Sequence, residues 1–301
     1  MLHCAILALL LFGQNPGTLG CEALQQSARH AMQARQFDVA IQSFQSALSA
    51  CPADRRLHIA LGNAYFMGGH FQQAKDVALE VLRSDPGNAA ALEIKANSEY
   101  LLGDSGAAID TFIDLLDRHP ENESAAYMLG RIYYQEDNID QAIGQFERVL
   151  RLNAYSYKAY DNLGLCYEAK GDNDKATRYF LTAIKLVEKN HPDYDTAYAD
   201  LAELLLKTGD TQKAFDAASI AANRNSMSAR NFYLGGKALD QLGKTKLALN
   251  WLQRSAALDP NYPQPLYLLS RIYHKLGEKQ KAEEAQQKFI ALQAKLPAKR
   301  R

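Results

Sequence analysis

The chain has one tryptophan, Trp251, no net charge, and almost none of the short motifs that mark catalytic or metal sites. Lysine plus arginine total 34 and aspartate plus glutamate total 34, so there is no basic excess to hold a nucleic-acid backbone. The seven histidines (His3, His30, His58, His70, His119, His191 and His274) are scattered, with no His-Glu-x-x-His spacing. The four cysteines contain no Cys-x-x-Cys, so no metal site is expected. There is no phosphate loop and no Gly-x-Ser-x-Gly elbow. Leu234-Gly235-Gly236-Lys237 lies in a helical stretch rather than after a strand, so it is not a phosphate cradle. Neither catalysis nor a cofactor is expected.

Long apolar runs are nearly absent too. The run Ala5-Ile6-Leu7-Ala8-Leu9-Leu10-Leu11-Phe12 is too short to span a bilayer comfortably, and Gly13, Pro16 and Gly17 break it. It reads as the core of a signal peptide over residues 1–20, although no Lys or Arg precedes Arg29. Thr18-Leu19-Gly20-Cys21 partly resembles a lipoprotein cleavage box, with leucine next to glycine instead of one residue earlier. The expected location is therefore extracytoplasmic: periplasmic, secreted or membrane-attached through the N-terminus. A cytoplasmic location is the alternative. The basic tail at 297–301 reads as a solvated end.

What the chain does have is a period. Ala40, Ala74, Ala108, Ala142, Ala176, Ala214, Ala248 and Ala282 are separated by 34, 34, 34, 34, 38, 34 and 34 residues. With each alanine at position twenty, units span 21–54, 55–88, 89–122, 123–156, 157–194, 195–228, 229–262 and 263–296. Position eight is small throughout: Ala28, Gly62, Ala96, Gly130, Gly164, Ala202, Gly236 and Ser270. Position fifteen is glycine in six units, with Arg35 and Asp137 in the others. Apolar residues recur at helical spacing on both sides of it, so each unit is two helices. Glycine at fifteen supplies the left-handed residue that stops the first helix, and Pro52, Pro86, Pro120 and Pro260 end the second. The four extra residues fall in 181–191, before Pro192, and lengthen a helix by about one turn.

The pattern resembles the tetratricopeptide repeat: Leu61-Gly62-Asn63-Ala64-Tyr65 with Gly69, Ala74 and Pro86, and Leu163-Gly164 with Tyr167, Gly171, Ala176 and Phe180. The resemblance implies an all-α, right-handed α-solenoid of stacked antiparallel helix pairs, whose first helices line a concave groove. Function is then expected to be protein–protein scaffolding, with a partner's peptide or helix captured in that groove. The groove positions give Asn63, Phe66, Asn97, Tyr100, Tyr127, Arg131, Tyr134, Lys158, Tyr233, Lys237, Tyr267 and Arg271 as candidate contacts. Tyrosine and arginine supply large contacts at little entropic cost. The cations of the last two repeats stand against one acid, Asp240, and favour an acidic segment. The chaperone-tail clamp known in this family needs asparagine in its middle repeat, whereas Thr196 and Asp200 follow Lys158 and Asn162, so that ligand is not expected. Alternatives are an assembly factor for an envelope complex of secretion or pilus type, or an accessory subunit of an enzyme complex. Self-association through the terminal repeats is a further expectation. Cys21 opens the first helix of repeat one and Cys51 closes its second, so antiparallel packing permits a disulfide, which competes with lipidation of Cys21. Cys166 reads as a core thiol.

Overall fold

The computed structural model describes residues 16–52 and 54–295. The expected signal core and the tail at 297–301 lie outside the described residues. Sixteen helices and no strands are present among those residues. They divide into two units, one ending at Ile132 and one beginning at Tyr133.

The first unit contains α1 (Pro16–Gln33), α2 (Phe37–Ala50), α3 (Arg55–Met67), α4 (Phe71–Ser84), α5 (Ala89–Leu101), α6 (Ser105–Arg118) and α7 (Glu123–Gln135) up to Ile132. The second contains the end of α7, α8 (Ile139–Leu152), α9 (Tyr157–Ala169), α10 (Asn173–Asn190), α11 (Thr196–Thr208), α12 (Thr211–Arg224), α13 (Ala229–Gln241), α14 (Thr245–Leu258), α15 (Pro263–Lys275) and α16 (Lys279–Lys295). Within each unit, helices pack in antiparallel pairs as in an α-solenoid. First helices also touch the next first helix, as in α3 on α5 and α9 on α11.

The periodic residues explain this arrangement. All six position-fifteen glycines have φ between +74° and +91°, and Arg35 and Asp137 take the same left-handed conformation at 56° and 61°. The turn then closes by a backbone bond reaching five residues back. His70 N–H donates to the Tyr65 carbonyl at 2.8 Å, and Asp172 N–H to that of Tyr167 at 2.9 Å. Capping side chains start the helices: Asn88 accepts from Ala91 N–H at 3.0 Å and Asp104 from Ala107 N–H at 3.0 Å. Position eight is small because position twenty-four of the partner helix fills the gap. A Cβ on Gly164 would overlap the Phe180 ring, and one on Gly236 would stand 2.7 Å from Leu252. Trp251 lies over Gly235, between Phe215 and Phe232 at ring distances of 5.5 and 5.3 Å.

In repeat one, Cys21 and Cys51 are joined by a disulfide with their Cα atoms 6.3 Å apart. The extra residues make α10 18 residues long, against 14 for α8 and α12. Arg224 holds the lengthened end. It donates to the carbonyls of His191 at 3.0 Å, Pro192 at 3.2 Å and Glu188 at 3.3 Å, and lies over the Tyr198 ring.

Candidate interaction surface

In the first unit, the candidate residues sit on α3, α5 and α7. Asn63 is exposed on α3, and so is its neighbour Met67. Phe66 is half-buried and packs on Phe71 at 5.6 Å, against the cluster containing Val81 and Ile94. Asn97 donates to the Glu93 carbonyl of its own helix at 2.9 Å, while Ser124 of α7 donates to the Glu93 carboxylate at 2.6 Å. Tyr100 and Tyr127 are half-buried, and Arg131 reaches the Met128 sulfur at 3.9 Å.

Below this face lies a group that the sequence did not single out. Glu99 is buried, paired with Lys95 at 2.9 Å and Lys75 at 3.3 Å, and accepts from the Thr111 hydroxyl at 2.8 Å. An i,i+4 pair along α5 and neighbours on the second helices α4 and α6 together create that site. The fully neutralised carboxylate is a tie between α4, α5 and α6 rather than an open acid.

The second unit carries a larger charged network across α9, α11 and α13. Arg230 places one nitrogen 2.6 Å from both the Asp200 and Glu203 carboxylates. Lys207 lies 2.5 Å from Glu168, and Tyr134 completes a pocket of about 470 Å³ with these groups. Behind it, Asp161 and Asp200 are both buried. Tyr194 donates to one Asp161 oxygen at 2.5 Å. The other Asp161 oxygen and the second Asp200 oxygen meet no hydrogen-bond partner. Burial first, and the Asp200 charge second, raise Asp161 to about 8. Burial also raises Asp200, with Arg230 pulling the other way. Cys166 of α9 is buried, and burial pushes its thiol up to about 12.

Tyr233 packs edge-on against Tyr262 at 5.4 Å, and burial raises its hydroxyl. Burial likewise raises that of Tyr134. Lys158 is exposed on α9. Lys237, Tyr267 and Arg271 line a cavity of about 790 Å³ with Asp240, His274 and Lys275. Tyr267 is 50% exposed there, with Arg271 over its ring at 5.8 Å. The structure therefore brings the last three candidates together, while Tyr134 and Tyr233 are partly committed to packing. Among the described residues, no group of three His, Cys, Asp or Glu side chains could hold a metal ion. None of the described helices is long and apolar enough to cross a membrane.

Comparison with curated proteins gives no match. Solved structures do resemble the chain. A tetratricopeptide repeat protein from Parabacteroides merdae superposes with a TM-score of 0.66 at 20% identity, over 89% of this chain and 99% of that one. The pilF protein of Pseudomonas aeruginosa gives 0.61 at 20%, over 70% and 94%. A chain of the APC/C Cut9–Hcn1 hetero-tetramer gives 0.65 at 20%, over 78% and 48%. At this identity the likeness is one of fold. Sequence profiles of the tetratricopeptide repeat match residues 31–97, 95–157, 155–219 and 263–296. These segments follow the observed helix pairs through both units, and the chain belongs to the tetratricopeptide repeat family.

Proposed function

We propose that the protein is a non-catalytic scaffold that captures a peptide or helix of a partner protein on its first-helix faces. Tetratricopeptide repeats support a protein-interaction role in general. The observation that carries the finer reading is the exposure of Met67 on α3 and Tyr267 on α15. These are large side chains on the same side of their helix pairs as the polar Asn63 and Arg271, and the core does not use them. Such isolated anchors flanked by polar groups are what binding surfaces concentrate. The Cys21–Cys51 contact supports an oxidising, extracytoplasmic location and favours a bridge over lipidation of Cys21.

The test is capture of native partners by the tagged full chain, by an Asn63→Ala, Met67→Ala, Arg131→Ala variant, and by a Tyr267→Ala, Arg271→Ala variant. A partner lost in either variant supports the reading. A partner retained equally by both overturns it and moves binding to the second helices.

A further inference from the structure

Position twenty-seven of the repeat is a covered position. Ala47, Val81, Leu115, Val149, Ala183, Ala221 and Ser255 occupy it in the first seven repeats, and all are buried. Ala47 shares a core with Leu57 and Leu61 of α3, Val81 with Ala91 and Ile94 of α5, and Ala221 with Leu234 and Ala238 of α13. The lid in each case is the first helix of the following repeat.

In repeat eight this position is Phe289, half-buried against the Tyr267 ring at 5.5 Å, and the next residue, Ile290, is 56% exposed. Among the described residues, no first helix lies beyond α16 to cover them. Tyr267, Phe289 and Ile290 thus form an apolar strip along the 790 Å³ cavity. Its edges are polar: Gln286 stands where the earlier repeats bury Phe112, Phe146 or Leu252. Lys237, Arg271 and Lys275 line the same cavity, and no carboxylate of the described residues lies within salt-bridge distance of them.

We propose that this end face receives an amphipathic helix of a partner protein, stacked where the first helix of a further repeat would lie, with an acidic edge against Arg271, Lys275 and Lys237. This rests on the reading of the chain as a protein-binding scaffold. Charge decides the occupant. A second copy docking through this same face would bring the same three cations, with only Asp240 among them, against themselves. Apolar anchors and a charged border are the usual terms of helix-in-groove recognition.

Fluorescence anisotropy with the full chain tests this, using synthetic helical peptides of about 18 residues, five turns each. One peptide has leucines on one face and glutamates along its edges. The second replaces glutamate by lysine, and the third scrambles the first. The acidic amphipathic peptide is expected to bind at least about tenfold more tightly than the others, a difference of ~1.4 kcal/mol. Phe289→Ser with Ile290→Ser, and separately Arg271→Glu with Lys275→Glu, should each weaken it about tenfold. Circular dichroism verifies that these surface variants fold. Equal binding of the lysine peptide, no binding of the acidic one, or indifference to both variants overturns the inference. So does a dimer in light scattering that Phe289→Ser with Ile290→Ser abolishes, which makes a second copy the occupant. Adsorption to phosphatidylglycerol vesicles without peptide binding overturns it in favour of lipid. A native partner lost through Asn63, Met67 and Arg131, with no peptide bound here, discards this inference and leaves the scaffold reading intact.

Discussion

Tyr194 donates to the buried Asp161 carboxyl, and burial with the nearby Asp200 charge makes this residue of α9 a point at which pH acts on the second unit. In the unfolded chain Asp161 loses its proton near 3.8, and in the fold it keeps it to about 8. Between those values the folded state binds more protons, so stability falls as pH rises, by at most ~1.4 kcal/mol per pH unit. On the Asp200 side, Arg230 opposes this response while Glu203 and Glu168 add to it. Asp161→Asn keeps an acceptor for Tyr194 and cannot ionise. Urea midpoints should decline from pH 5 to pH 8 in the natural chain and decline less in this variant; parallel curves would remove Asp161 from the account. Nothing in the sequence distinguishes Asp161 from the solvated acids around it, because its burial is made by α11 and by Tyr194, 33 residues away. The glycines of position fifteen were legible for the opposite reason: their left-handed backbone is a local demand.

At the scale of the helix, the 38-residue gap was readable as one added turn, and α10 is longer by that turn. The device that secures it was not readable. Arg224 reaches from the end of α12 to three carbonyls at the end of α10, satisfying acceptors that a helix terminus leaves open. Tyr157 packs against His191 and Tyr194 on the same corner, at 4.5 and 4.7 Å. Arg224→Ala should cost about 1–2 kcal/mol through the lost charge-assisted bonds. Faster amide exchange should appear at residues 187–191 and not along α14. Unchanged exchange there would show that Tyr157 alone holds the corner.

Within each unit, helices pack on chain neighbours and first helices touch the next first helix, as in α3 on α5 and α11 on α13, so stability is a sum of local terms. The period showed this plainly, since identical columns in eight units require identical neighbours. The chemistry of the binding face was less legible, because the same positions hold packed residues such as Tyr233 and open ones such as Tyr267. Local addition also predicts how the disulfide acts. Closing the 30-residue separation of Cys21 and Cys51 stabilises repeat one by about 3–4 kcal/mol in a chain-entropy account. Reduction should therefore raise amide exchange in α1 and α2 and leave α11 to α14 unchanged. A uniform rise through all helices would mean one cooperative block. Trp251, wedged over Gly235 between Phe215 and Phe232, gives the chain one indole chromophore, placed between the sixth and seventh repeats. Its emission follows the melting of that stretch alone, so a denaturation curve read by fluorescence and one read by total helicity are measurements of two different events.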